Sequence, residues 1–143
     1  MKQKNDPVSI EMLLELCNMH LGNNDLLVVR DLSMILLSFA GLLRFDEVSS
    51  PLCSDVKIEC EYLFLFIRKS KTDQYRNGNG VLIAKGETIA CPFSKFIRYV
   101  ELSGVNLDSD LYIFRTIFRS KGTCKLIYKN KKLSYTGRVL FLD

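Results

Sequence analysis

Apolar residues recur at helical spacing through the first fifty positions. A first amphipathic helix is predicted to follow the cap and proline of Asp6-Pro7-Val8-Ser9 and to end near Gly22. Its apolar face comprises Ile10, Leu13, Leu14, Cys17 and Leu21. Residues 25–42 form a second predicted helix, apolar around most of its circumference and therefore expected at the centre of the core.

A junction is expected after this second helix. Gly41 can end or bend it, and residues 45–50 fit one further short helix that Pro51 stops. Arg44 would then lie between two helices.

From Val56 the pattern changes to short runs rich in β-branched and aromatic residues. Residues 56–58, 62–68 and 81–84 predict a three-stranded antiparallel sheet. The connection between the second and third strands, residues 69–80, is polar and contains two glycines and two asparagines, as is typical of a loop.

The last third begins with Cys91-Pro92, which opens another predicted helix ending near Gly104. Its apolar face comprises Phe93, Phe96, Ile97, Val100 and Val105. The following segment, residues 107–132, is mixed and contains a basic turn at 129–132, and Ser134 is a candidate cap for a last helix. We therefore expect an α+β fold: a single, mainly helical domain with helices at about 8–50 and 92–143 and a small sheet at about 55–85.

Composition narrows the class of protein. A chain of 143 residues with 48% hydrophobic content can form one domain with its own core. A net charge of +4 is compatible with a polyanionic partner without requiring one. Five dispersed cysteines and a single histidine exclude a zinc site of known spacing, and they fit reduced thiols in a nuclear or cytoplasmic protein.

Targeting and membrane signals are not expected. The polar residues 1–6 lack the apolar core of a signal peptide. The one long apolar stretch, residues 26–43, is interrupted by Arg30, Asp31 and two serines, and it fits a buried helix better than a membrane span.

The candidate chemistry lies in two short segments. One is Gly41-Leu42-Leu43-Arg44-Phe45-Asp46-Glu47-Val48, followed by Ser54-Asp55-Val56, and the other is Ile67-Arg68-Lys69-Ser70-Lys71-Thr72-Asp73. Taken alone, an Arg-x-x-Glu pair is most often a surface ion pair, and a Lys-Ser-Lys-Thr turn is most often a solvated hairpin. Their order and spacing in this chain change that interpretation.

Together these segments resemble the tyrosine recombinases, or phage integrases. The first is similar to that family's Gly-Leu-Arg-x-x-Glu box and the Asp that opens its first strand, and the second to the hairpin that holds its catalytic lysine. Leu133-Ser134-Tyr135-Thr136 is similar to integrase-like proteins of eukaryotic mobile elements. The likeness spans nearly the whole chain but only about the first two thirds of a family catalytic domain.

The resemblance implies a role for each residue in DNA recombination and integration. Arg44 would clamp two non-bridging phosphate oxygens, which a guanidinium can do with fixed geometry. Lys71, or alternatively Lys69, would protonate the departing 5′-oxygen, and Glu47 would orient Arg44. The remaining DNA contacts would come from the same hairpin, at Lys69, Ser70, Thr72 and Arg76. The family's chemistry uses no metal or cofactor, so none is expected.

Other family residues have no counterpart here. No His-x-x-Arg box follows Arg44, since the single histidine is His20, and Tyr112, Tyr128 and Tyr135 come too early to be the family's nucleophile. Pro51-Leu52 also stands where the family prefers a packing leucine. We therefore expect a truncated or degenerate domain that does not cleave DNA by itself.

Three functional hypotheses follow. The first is a DNA-binding recombinase remnant that contacts phosphates without reading sequence. The second is a protein-interaction module without DNA activity, which could self-associate through an exposed apolar surface. The third is that these residues belong to a longer product that supplies the remaining catalytic groups.

Overall fold

The computed structural model describes residues 9–67, 80–121, 123–126 and 133. Three features expected from the sequence lie outside this part of the chain: the 69–79 portion of the polar loop, the basic turn at 129–132 and the cap at Ser134. The described part begins with three α-helices, continues with a three-stranded sheet and a fourth α-helix, and ends with a two-stranded hairpin. The four helices and the three-stranded sheet are expected for the predicted α+β fold.

The first two helices begin at side-chain caps. Helix α1 (Ile10–Met19) follows Ser9, whose Oγ accepts a hydrogen bond from the Met12 amide at 3.2 Å. Helix α2 (Leu26–Gly41) follows Asp25, whose carboxylate accepts from the Leu27 amide at 3.1 Å. Both caps satisfy amides that lack partners within the helix.

Helix α2 is the centre of the core, as predicted. Every residue in 28–37 is buried, so this part of the helix is enclosed around its full circumference. Helix α2 ends at Gly41, and a short helix α3 (Phe45–Ser49) follows before Pro51, also as predicted. A 3₁₀ turn (Cys53–Asp55) then leads into the sheet.

The predicted antiparallel sheet is confirmed. Its strands are β1 (Val56–Ile58), β2 (Tyr62–Phe66) and β3 (Gly80–Ala84), with β2 in the middle. The inward-facing Leu63, Leu65 and Ile83 are almost fully buried, and β3 contacts both α2 and α4. Period-two burial along β2 therefore divides the sheet into a core face and an outer face.

Helix α4 (Pro92–Ser103) packs against α2 and ends at Gly104, which has a left-handed φ of +73°. Its N-cap is Cys91, whose sulfur accepts hydrogen bonds from the amides of Gly86 (3.1 Å) and Ser94 (3.3 Å). The predicted Phe96 is fully buried, and its ring meets that of Phe114 at a centroid distance of 6.1 Å. These contacts fix α4 on the core.

The expectation of helices throughout 92–143 is wrong for residues 117–126. Strands β4 (Ile117–Ser120) and β5 (Thr123–Leu126) form an antiparallel hairpin there, with Ser120 paired to Thr123. Lys121, the described residue that follows β4, has a left-handed φ of +48°. In the sequence, Lys-Gly between two short β-prone runs favours a hairpin over a continuous helix.

Candidate nucleic-acid interface

Arg44 lies at the predicted junction between α2 and α3. Leu42 adopts a left-handed conformation (φ 55°, ψ 46°), and the Leu43 amide donates to the Ser38 carbonyl at 2.8 Å, which closes the end of α2. The chain is extended at Arg44 (φ −82°, ψ 165°), whose carbonyl accepts from the amides of Glu47 and Val48, each at 2.9 Å. The backbone of Arg44 is thus held on both sides.

The side chain of Arg44 is exposed. In the described ranges, no ion pair or hydrogen bond to its guanidinium is present. Because the main chain is fixed and the guanidinium is unengaged by these residues, Arg44 presents an available positive charge at a defined position on the surface. An arginine in this state can bind an external phosphate without first breaking an internal ion pair.

Glu47 acts on Arg44 through the main chain. Its Oε1 accepts a hydrogen bond from the Arg44 amide at 2.9 Å, the N3-to-N-cap contact that closes the first turn of a helix. The sequence predicted instead that Glu47 would orient the guanidinium, and within the described residues no ion pair joins the two side chains. In this structure the carboxylate therefore positions the residue and leaves its side chain unpaired.

The other predicted site residues lie outside the described residues: Lys69, Ser70, Lys71, Thr72 and Arg76. The structure does describe both ends of the loop that contains them. Strand β2 ends at Phe66, which pairs with Gly80 at the start of β3. The two points at which the connecting segment joins the sheet are therefore side by side, at one end of these strands.

The loop rejoins the sheet beside the end of α2. A Cβ placed on Gly41 would lie 3.1 Å from Cγ1 of Val81, the second residue of β3. Gly41 is three residues before Arg44 in the chain. The structure therefore brings the Arg44 junction close to the start of β3, the strand that follows the predicted lysine loop in the sequence.

Asp55, the aspartate of the first motif, has a structural role. It is 3% exposed, and its Oδ2 accepts from the Leu52 amide at 2.9 Å, closing the turn between α3 and β1. In the same segment the Ile113 amide donates to the Pro51 carbonyl at 3.3 Å. The segment after α3 is thereby fastened to the second half of the chain, and Asp55 is not available to a ligand.

Sequence analysis missed a buried polar cluster that involves α2 and α4. Arg30, only 2% exposed, donates to Oδ1 of Asp31 at 3.0 Å from Nε and 2.8 Å from Nη2, and from Nη1 to the carbonyl of Arg115 at 3.2 Å. Tyr99 donates its hydroxyl hydrogen to the Ile113 carbonyl at 2.6 Å. The adjacent Arg30 and Asp31 in an otherwise apolar helix were the one signal of this cluster.

Electrostatics in the cluster follow from its burial. Burial raises the pKa of Tyr99 well above its ordinary value, and the positive charges of Arg30 and Arg115 offset part of that rise. Arg115 is also buried, and no described residue accepts a hydrogen bond from its Nε. Arg30 lies 11 residues before Gly41 on α2, about 16 Å along the helix axis, so the cluster is separate from the Arg44 junction.

Neither a cluster of metal ligands nor a membrane-spanning helix is present in the described part of the chain. No group of three or more His, Cys, Asp or Glu residues there could hold a metal ion. None of the helices described is both long and apolar enough to cross a membrane.

No protein-family model matches this chain, and no curated protein shows significant similarity to it. The likeness to the tyrosine recombinases thus rests on the motif residues themselves and remains a prediction.

Proposed function

We propose that this chain binds the phosphate backbone of DNA as a tyrosine-recombinase-like domain, in the context of DNA recombination or integration. The observation that carries the proposal is the state of Arg44, exposed and unpaired by described residues on a backbone fixed at both sides. Its junction also adjoins the strand into which the lysine loop leads. An available guanidinium near the strand that follows a lysine-rich segment of the sequence suits a phosphodiester.

Binding of this kind is electrostatic and independent of base sequence. Arg44, Lys69, Lys71 and Arg76 would neutralise about four phosphates, with Ser70 and Thr72 donating hydrogen bonds from the same loop. Either Lys69 or Lys71 would occupy the position of the family's catalytic lysine. Strand cleavage is not proposed for these residues by themselves, because they include no histidine after His20 and so no second phosphate-binding box.

The test is binding of the full chain to a labelled generic duplex at about 50 and 200 mM salt, with Arg44→Ala as the variant. Arg98→Ala is a matched control. Arg98 is an exposed arginine of α4 whose Nη2 donates to Oδ1 of Asn24. Asn24 precedes α2 and Arg44 follows it, and the 16 residues of the helix separate the two ends by about 24 Å.

The proposed location is the nucleus or cytoplasm. All five cysteines are free in the structure, and three of them are buried: Cys17, Cys53 and Cys91. Free buried thiols suit a reducing compartment.

A second candidate function, self-association without DNA activity, is favoured by the exposed face of α1. Met12 and Met19 are 54% and 68% exposed, and with Leu16 they form a stripe at i, i+4 and i+7. The stripe and Glu15 line an open pocket of about 330 Å³. The buried Leu13 and Cys17 lie on a different side of the helix, so this second apolar face is available to another copy of the chain.

Sedimentation velocity over a range of protein concentrations tests this alternative. Self-association through this face predicts a dimer that is insensitive to salt and is lost in a Met12→Lys, Met19→Lys double variant. The dimer should be retained in Asn18→Lys, a change at an exposed residue of the same helix. A chain that stays monomeric at every concentration would exclude it.

A further inference from the structure

The outer face of the three-stranded sheet carries a row of aromatic rings. Tyr62, Phe64 and Phe66 alternate along β2 with the buried Leu63 and Leu65, so all three rings project to the side away from the core. Tyr62 is 38% exposed, and Leu82, paired with Phe64 on β3, is 58% exposed. Phe64 and Phe66 are half-buried, and the other residues of this side are exposed. The face is therefore partly open to solvent, and we name it the aromatic face: Lys57, Tyr62, Phe64, Phe66, Leu82 and Ala84.

The ring of Phe64 lies across the neighbouring strand. A Cβ on Gly80 would clash with Cζ of that ring and lie 2.6 Å from its Cε2, so the ring occupies the space directly above the glycine. The Phe66 ring meets it nearly perpendicularly, at 86° and a centroid distance of 5.1 Å. Opposite Tyr62, β3 again has a small residue, Ala84. The small Ala84 thus leaves room for a flat group beside Tyr62, whereas the Phe64 ring fills the space above Gly80.

A positive charge adjoins the rings. Lys57 is the exposed residue of β1, and it pairs directly with Phe64 on β2. An ammonium group beside aromatic rings complements a ligand that combines flat π systems with regularly spaced negative charge, which is the chemistry of a single-stranded nucleic acid.

The surrounding charges give the face a direction. Glu59 and Glu61 lie in the β1–β2 turn, at the Tyr62 end of β2, and repel phosphate there. At the other end, the Phe66–Gly80 pair leads into the loop that contains Lys69 and Lys71. These charges favour phosphate positions at Lys57 and toward that loop, whereas the Tyr62 end of the face suits an uncharged base. A second copy of the chain fits this face less well, because pairing two such faces would bring their lysines into one apolar interface.

We propose that the aromatic face binds single-stranded DNA, with bases stacked on Tyr62 and Phe64 and a phosphate held by Lys57. The choice of DNA as the partner rests on the proposed function, but the residues that bind it here, Tyr62, Phe64 and Lys57, do not include Arg44. The chain would thus contact the duplex through Arg44 and hold an unpaired segment on the sheet. Base stacking on aromatic side chains tolerates any sequence, in keeping with backbone-directed binding.

Fluorescence anisotropy of the full chain with a labelled oligo-dT of about 12 nucleotides tests this proposal. Tyr62→Ala is expected to weaken binding about tenfold, the loss typical of one stacked base, while Tyr62→Phe keeps the ring and the affinity. Lys57→Ala should weaken binding and reduce its salt dependence. Phe118→Ala is the matched control, because it removes an exposed ring on β4, outside the aromatic face.

Several results would overturn the proposal: no binding of oligo-dT by the folded chain, equal affinity of the chain and Tyr62→Ala, or equal losses in Tyr62→Ala and Phe118→Ala. A concentration-dependent dimer that Tyr62→Ala abolishes would instead assign the face to a second copy. Tyr62 is an exposed side chain, so its variants should fold, and circular dichroism checks this. Duplex binding reports separately on Arg44, since Tyr62→Ala should leave it unchanged.

Discussion

Arg30 and Asp31, neighbours in the chain, form a buried ion pair in the middle of α2, with Nη2 of Arg30 2.8 Å from Oδ1 of Asp31. Neither side chain is more than 2% exposed. The pair explains how a helix that carries two charges can be buried on every side, because each charge compensates the other. The third guanidinium nitrogen of Arg30, Nη1, donates to the Arg115 carbonyl. That last contact fastens the centre of the core to a residue 85 positions later.

Removing one partner of this pair should be strongly destabilising. Asp31→Ala leaves the Arg30 guanidinium buried without a counter-charge, and we expect a loss of about 3–5 kcal/mol in the free energy of unfolding. Urea denaturation followed by circular dichroism measures it. An Arg30→Met, Asp31→Leu double variant should recover much of the loss, because it leaves no isolated charge. An Asp31→Ala loss below about 1 kcal/mol would contradict the burial of the pair.

Alkaline pH should weaken the fold through Tyr99. Because burial raises the pKa of Tyr99 in the folded chain, its phenol stays protonated there after the unfolded state, with a tyrosine pKa of about 10, has begun to ionise. The contribution of Tyr99 to stability is therefore complete below about pH 10 and declines above it by up to about 1.4 kcal/mol per pH unit.

Unfolding curves between about pH 8 and 11 measure this decline. Tyr99→Phe should show a shallower decline, although it also loses the hydrogen bond to the Ile113 carbonyl and starts from a lower stability. Tyr62→Phe, which removes an exposed hydroxyl, is the control. If the free energy of unfolding falls with pH at the same rate in the unaltered chain and in Tyr99→Phe, the pKa of Tyr99 does not differ between the folded and unfolded states.

Gly80 should be intolerant of a side chain. In Gly80→Ala the new methyl would meet the Phe64 ring, so the ring has to leave its position over β3, at an expected cost of about 1–3 kcal/mol. Gly86→Ala is the matched control, since a Cβ there meets only Cys91 at an ordinary 3.9 Å. Thermal or urea unfolding of the two variants measures the difference. If the two substitutions lower the free energy of unfolding equally, the position of the Phe64 ring over β3 does not require a glycine at position 80.

Most of the fold could be predicted because its elements carry strong local signals. Cap residues and apolar spacing identify α1, α2 and α4, with Ser9, Asp25 and Cys91 each found at the predicted helix start. Runs rich in β-branched and aromatic residues located the sheet. The hairpin of β4 and β5 was missed because each strand has only two apolar residues among four, which is too weak a pattern to separate from a helix.

The site was less predictable than the fold. The sequence correctly predicted that Arg44 lies at a junction between two helices, because Gly41 and Pro51 mark the ends of these helices. The Arg-x-x-Glu pattern could not tell which atoms of Arg44 meet Glu47, because a glutamate three residues later can accept a hydrogen bond either from the backbone amide, as it does here, or from the side chain. Nor could the sequence reveal the Arg30–Arg115 contact, which depends on tertiary packing between distant segments.

Duplex DNA binding by the full chain, compared with Arg44→Ala and Arg98→Ala, tests the central claim most directly. With about four phosphates neutralised, log affinity should fall against log salt with a slope of about −3.6, and Arg44→Ala should weaken binding and bring the slope closer to zero by about 0.9. Arg98→Ala should match the unaltered chain in both respects. Folded protein that does not bind duplex at about 50 mM salt, or that loses as much affinity in Arg98→Ala as in Arg44→Ala, would contradict a phosphate site at Arg44.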